Sequence, residues 1–223
     1  MQKTEFSKEL TSLSFPIAEG ITNLEYQGNE IESRDQYRER KEVEVSVFLQ
    51  NMEQNYAQGK NLFIKNNPNV ADFFSKIDKS MTTKGEIDPL LLTEQVYQEL
   101  LSTGEKCFAE KQFESLQIMM QTLILLFPKY LQSYIILANA ICVEKGHSVA
   151  AEVYEKLIEH IEDPLLYSCA ASCFVECDSE SQKTKGINLF KKVITMITGN
   201  PEKYADYQYL QPEIESFIKN LSA

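Results

Sequence analysis

Apolar positions recur at helical spacing through most of this chain, in blocks divided by polar or proline-containing turns. The clearest block runs from Gly104 to Tyr154. Gly104 is followed by Phe113, Leu116, Met120, Leu123 and Pro128. A step of 34 residues from Gly104 reaches Ala138, and the same step from Leu116, Met120 and Leu123 reaches Ala150, Tyr154 and Leu157. A small residue in one helix, followed by large apolar residues at i, i+4 and i+7 in the next, predicts a helical hairpin repeated at this period. A single hairpin cannot bury both of its apolar faces. Hairpins of this kind therefore stack, and the small residue sets how closely two helices approach.

The pattern predicts three such hairpins. Asp88-Pro89 reads as an N-cap followed by a proline at the first helical position. The first hairpin pairs helices over about 89–110 and 112–126, stopping before Pro128. The second pairs 130–144 with 149–161 and turns at Gly146-His147. The third starts at Asp163-Pro164, where Tyr167, Ala170, Ala171 and Phe174 repeat Tyr134, Leu137, Ala138 and Ile141 at an offset of 33. Its second helix carries Gly186, Phe190 and Val193. Gly186 comes three residues late, which implies a small insertion in 178–183. After Gly199-Asn200-Pro201, the apolar and aromatic positions Tyr204, Tyr207, Leu210, Ile214, Phe217 and Ile218 predict a helical segment capping the last hairpin.

The N-terminal part is less regular. Residues 1–32, interrupted by Pro16 and Gly20, read as an extended or weakly helical arm. A helix is expected over 33–58, opened by a Ser33/Gln36 capping box, with Tyr37, Val45, Phe48, Met52 and Tyr56 near one face. Val43, Val45 and Val47 alternate like a strand, but length and flanking charge decide for helix. Asn66-Asn67-Pro68-Asn69 is a turn, 70–77 a short helix, and the polar 79–88 a linker. The expected organisation is all-α: an N-terminal helical extension over 1–88, a three-repeat array over 89–200 and a capping helix over 201–223.

Net charge of −11 excludes the phosphate-neutralising surface of a nucleic-acid binder and disfavours an anionic membrane. No apolar run is long enough to span a bilayer. The opening MQKTEFSKEL lacks the apolar core of a secretory signal, and an odd number of cysteines, five, fits reduced thiols. The expected location is therefore cytoplasmic. His147 and His160 stand near no Cys or carboxylate at triad or ligand spacing, and no phosphate loop or paired-carboxylate motif occurs. This predicts a protein that is not an enzyme and uses no cofactor and no metal. Cys169, Cys173 and Cys177 share one helical face. They read as small packing residues, since a structural zinc site would need a second pair.

In a stacked array the first helix of each hairpin lines the concave face. Helical spacing assigns to that face Leu101, Glu105 and Phe108, then Ile135, Asn139 and Cys142, then Ser168, Ser172 and Val175. An apolar face of small residues with a few polar points suits an extended peptide. Leu101 and Glu105 stand where a clamp for an acidic C-terminus would need Lys and Asn, so that reading fails.

The 34-residue pattern resembles the tetratricopeptide repeat. The three hairpins over about 90–200, the acidic chain and the segment DPLLYSCAASCFVEC together resemble the class II type III secretion chaperones. That resemblance implies a chaperone that clasps an extended segment of a secreted translocator or effector protein in its groove and keeps it soluble for export. It also implies a homodimer formed through the N-terminal region. The long N-terminal extension departs from the family pattern. The alternative is a general tetratricopeptide scaffold in a larger assembly.

Overall fold

The computed structural model describes residues 14–26 and 33–221, and among these the regular structure is entirely helical. Ten α-helices follow in order: α1 (Ser14–Glu25), α2 (Arg34–Asn66), α3 (Ala71–Lys84), α4 (Glu94–Ala109), α5 (Phe113–Leu126), α6 (Leu131–Lys145), α7 (His147–His160), α8 (Pro164–Val175), α9 (Glu180–Gly199) and α10 (Leu210–Leu221). Short 3-10 turns stand at Pro68–Val70, Pro89–Leu91 and Ala205–Tyr207. Contacts divide the chain into two compact units. The first holds the residues up to Lys106 together with Gln121–Phe127, and the second holds Cys107–Met120 with the residues from Pro128 on.

In the first unit, the arm expected over 1–32 is a helix for its described part. Pro16 falls in the first turn of α1, where a missing N–H costs no intrahelical bond. Helix α1 packs on α2, burying Ala18 and Thr22. Arg34 binds Glu19 at 2.6 Å, and the Tyr37 hydroxyl donates to Glu25 at 2.8 Å. Residues 1–13 and 27–32 lie outside the described part.

The Ser33/Gln36 capping box forms in both directions and opens a helix of 33 residues. Along it Val45, Leu49, Met52, Tyr56, Gly59 and Phe63 succeed one another by four and three, and all but the half-buried Met52 are buried. This narrow seam is how a mostly polar helix this long is held. The expected face had Phe48 where Leu49 is buried; Phe48 is 60% exposed. The valines that alternate like a strand belong to this helix, with only Val45 inward.

The helix stops at the Asn turn. Asn67 N–H bonds the Phe63 carbonyl at 2.7 Å, and its side chain accepts from Asn69 N–H at 3.2 Å. Phe74 then seats against Phe63, Tyr56 and Phe73, with ring centroids 5.9, 6.3 and 5.1 Å away. Tyr97 meets Phe127 at 5.5 Å. The polar stretch 79–88 lies within this unit and is helical through Lys84, so the expected linker shrinks to the turn after it. Asp88 caps the 3-10 turn rather than the following helix. Helix α4 starts only at Glu94, with the Thr93 hydroxyl accepting from Val96 N–H.

In the second unit, consecutive helices α6 to α9 pack pairwise, and α6 also touches α8. Gly146, at φ 89°, makes the tight turn between α6 and α7. Asp163 caps α8 through the N–H groups of Leu165 and Leu166 at 2.8 and 3.0 Å. Residues 178–183, expected to hold a small insertion, form the turn and first helical turn of α9, a helix of 20 residues. Gly186 lies where α9 crosses α8. A Cβ there would stand 2.8 Å from the Ala171 carbonyl oxygen, so the two backbones touch because glycine has no side chain. The tail folds onto this pair: Tyr204, Leu210 and Ile214 are buried beside Phe190, Val193 and Ile197, and the Tyr207 hydroxyl donates to Asp163 at 2.8 Å.

Candidate functional site

Helices α6 and α8 carry most of the residues that spacing assigns to a binding face. Both are apolar nearly all round (LQSYIILANAICVEK and PLLYSCAASCFV), so each is covered on several sides at once. Ile135 (7% exposed) belongs to a core with Ala138, Ala150, Ala151, Tyr154, Leu166 and Phe174. Val175 (8%) belongs to the core around Phe190 and Val193. Leu101 (2%), in the first unit, is likewise buried, while Glu105 on the same helix is exposed.

Asn139 is half-buried, and its Oδ1 accepts the Tyr154 hydroxyl at 2.7 Å. Tyr154 is fully buried, so this bond satisfies a hydroxyl that has left water. Burial, with thiols close by, also pushes the Tyr154 pKa well above the tyrosine range. Cys142 is half-buried and hydrogen-bonds Cys173 on α8. Burial raises the Cys142 thiol pKa, and that bond works against the shift. Ser168 is half-buried, and Ser172, whose hydroxyl donates to the Ser168 carbonyl at 3.1 Å, is exposed. Phe108 is partly exposed and meets Phe113 edge-on at 5.5 Å.

The open stripe in the second unit therefore follows a register that spacing only partly captured. On α6 it runs through Gln132, Ile136, Asn139 and Val143; on α8 it runs through Leu165, Ser168 and Ser172. Val143, 57% exposed, is the most open large apolar side chain on α6 and was not among the expected residues. The signal for it was weak. Ile135, Ile136, Cys142 and Val143 are all apolar, and nothing in their order says which of each pair faces out.

The thiols line the inside of these helices. The Cys173 thiol donates to the His147 carbonyl at 3.3 Å, and the Cys177 thiol to the Cys173 carbonyl at 3.4 Å. Burial pushes the thiol of Cys169 up to about 11 and that of Cys173 to about 12, so both are protonated at neutral pH. A thiolate is the form that attacks or ligates, and here it is suppressed. Among the described residues no three His, Cys, Asp or Glu side chains are grouped to hold a metal, and His147 and His160 are exposed. No helix among the described residues is long and apolar enough to cross a membrane. Comparison with family models, with curated proteins and with solved structures returns no match to this chain.

Proposed function

We propose that this chain is a cytoplasmic, non-enzymatic chaperone of tetratricopeptide type. In this reading it holds an extended segment of a secreted translocator or effector protein along the α6/α8 face. The observation that carries it is the packing order within the second unit: helices α6 to α9 each touch the next, and α6 touches α8, as in stacked hairpins. Small residues stand at the crossings, with Ala138, Ala150, Ala151, Ala170, Ala171 and Gly186 all buried. Self-association through the N-terminal region belongs to the same reading. The contact residues would be those left open: Asn139, Val143, Ser168, Ser172 and Phe108. Ile135 and Val175 support that surface from beneath.

The test is co-expression with a candidate export substrate, comparing wild type with Ser172→Arg and Val143→Asp. Both sites are exposed, so these variants keep the wild-type helical circular dichroism. The substrate is expected to stay soluble and co-purify with wild type, and to precipitate with the double variant. Equal co-purification with both forms overturns the α6/α8 assignment. Ile135→Glu is unsuited to this test, because it would place a carboxylate in the core and unfold the surface it is meant to probe.

A further inference from the structure

All five cysteines are free thiols, and the α6/α8 reading uses none of their chemistry. Cys142, Cys169, Cys173 and Cys177 belong to one core in the second unit. The turn at Gly146 sets their geometry. The Cys142 carbonyl accepts the Gly146 N–H at 2.9 Å, which closes α6. The next residue, His147, offers its carbonyl to the Cys173 thiol at 3.3 Å. Cys173 is thereby pinned from α8 against the end of α6, and its thiol meets that of Cys142 in a hydrogen bond. Cys107 is engaged elsewhere, its thiol on the Met119 sulfur at 3.7 Å.

Helix geometry selects one pair among these thiols. Cβ atoms four residues apart on a helix are roughly 5–6 Å from each other, whereas a disulfide needs roughly 3.5–4.5 Å. Cys169 and Cys173, both on α8, therefore cannot bridge without unwinding it. Cys177 lies past the end of α8 and directs its thiol to the Cys173 carbonyl at 3.4 Å, not to the Cys173 sulfur. Cys142 and Cys173 come from two helices in contact, and nothing in either helix has to unwind for them to join. The two also differ in access. Cys173 is 5% exposed and Cys142 is half-buried, so an oxidant from solvent meets Cys142 first.

We infer that Cys142 and Cys173 are a redox pair: a hydroperoxide oxidises Cys142, and Cys173 then closes a disulfide that staples α6 to α8 beneath the open stripe. In the first step a peroxide oxygen bonds to the Cys142 sulfur as the O–O bond breaks. The sulfur becomes a sulfenic acid, and the departing hydroxide takes the proton that the thiol gave up. In the second step the Cys173 sulfur attacks the Cys142 sulfur and the S–O bond breaks. The hydroxide leaves as water with the Cys173 proton. The thiolate carries the first step, and burial holds the Cys142 thiol above its ordinary range, so the pair answers sustained rather than brief oxidant. The staple closes a loop around the whole of α7, and it stands or falls independently of the client reading.

The experiment treats reduced full-length protein with excess hydrogen peroxide at pH 7 and at pH 8, and maps the products by peptide mass spectrometry. The expected product is a disulfide between Cys142 and Cys173 of one chain, formed about tenfold faster at pH 8 because the thiolate is the reacting form. It should raise the melting midpoint by about 5–10 °C, and dithiothreitol should reverse the rise. Cys142→Ser, at a half-buried site, should abolish both the product and the rise. In Cys173→Ser, Cys142 should stop at a sulfenic acid that dimedone traps, whereas Cys177→Ser should still form the staple. Conversion of Cys142 to sulfinic acid with Cys173 still reduced overturns the proposal. So does a pair that stays reduced under peroxide, or a disulfide from Cys142 to Cys177 or to a second chain. A disulfide that forms as expected but leaves the melting midpoint unmoved overturns the staple.

Discussion

In the first unit a cluster of aromatic rings joins α2 to α3, and in the second small residues set the closest crossing of two helices. Phe74 sits among Phe63, Tyr56 and Phe73, and α2 presents a seam of Val45, Leu49, Tyr56 and Phe63. The second unit brings α8 against α9 at Ala171 and Gly186, and sets alanine and cysteine among the larger Ile135, Tyr154, Leu166 and Phe174. Aromatic wedges leave gaps between elements, and one such gap is the apolar cavity beside Tyr56. Where small residues meet, as at Ala171 and Gly186, the helices close on each other until the backbones touch. The two units should accordingly fail under opposite substitutions.

The largest expected effect is truncation in the first unit. Phe74→Ala should lower stability by about 3–5 kcal/mol, the usual cost of emptying a buried aromatic site. Urea unfolding measures it, and hydrogen exchange should show the loss first in peptides from α2 and α3. A cost below about 1 kcal/mol would mean that the aromatic cluster is not the keystone of this unit. Enlargement in the second unit comes next. Gly186→Ala gains about 1 kcal/mol of helix propensity, but its new methyl meets the Ala171 carbonyl oxygen. Overpacking of this kind costs about 1–3 kcal/mol, so the net change should be a loss of about 1 kcal/mol, read as earlier exchange in α8 and α9. A net gain would break the close-approach account of that crossing.

A further effect is alkaline. Cys169 and Cys173 ionise at about 11 and about 12 when folded, against an ordinary 9.0. Their folded values are raised, so the stability they contribute is whole below pH 9 and is lost as pH rises toward 12. In the first unit Tyr56 shifts in the same direction, but from an ordinary 10.0. Exchange in the second unit should therefore begin to quicken between pH 9 and 10, before that around Tyr56. At pH 8 the native thiols of Cys169 and Cys173 should resist a disulfide reagent that modifies them after unfolding. Rapid native modification at pH 8 would show that they are not held protonated by burial.

Much of the helical layout was legible because its signals are local. The Ser33/Gln36 box, Asp163-Pro164, the Asn66–Asn69 turn and Gly146 each act on backbone groups within a few residues, and each sits where spacing put it. Asp88-Pro89 shows the limit of that logic. The cap and proline are used, but on a 3-10 turn, and Thr93 starts the helix proper. The candidate face was legible only in part. Ser168, Ser172 and Asn139 remain at least partly open, while Ile135, Val175 and Leu101 are buried.

The sequence by itself determined that this chain forms helices and where most of them begin and end. Those properties follow from caps, breakers and apolar content, which act within a turn or two. Only the tertiary structure decided which side of α6 and α8 stays open, that Leu49 rather than Phe48 turns inward, and that Asn139 is committed to Tyr154. A helix with apolar residues all round has no preferred inner face of its own. Its orientation is set by which neighbours pack on it and how closely, and that depends on residues distant in the chain.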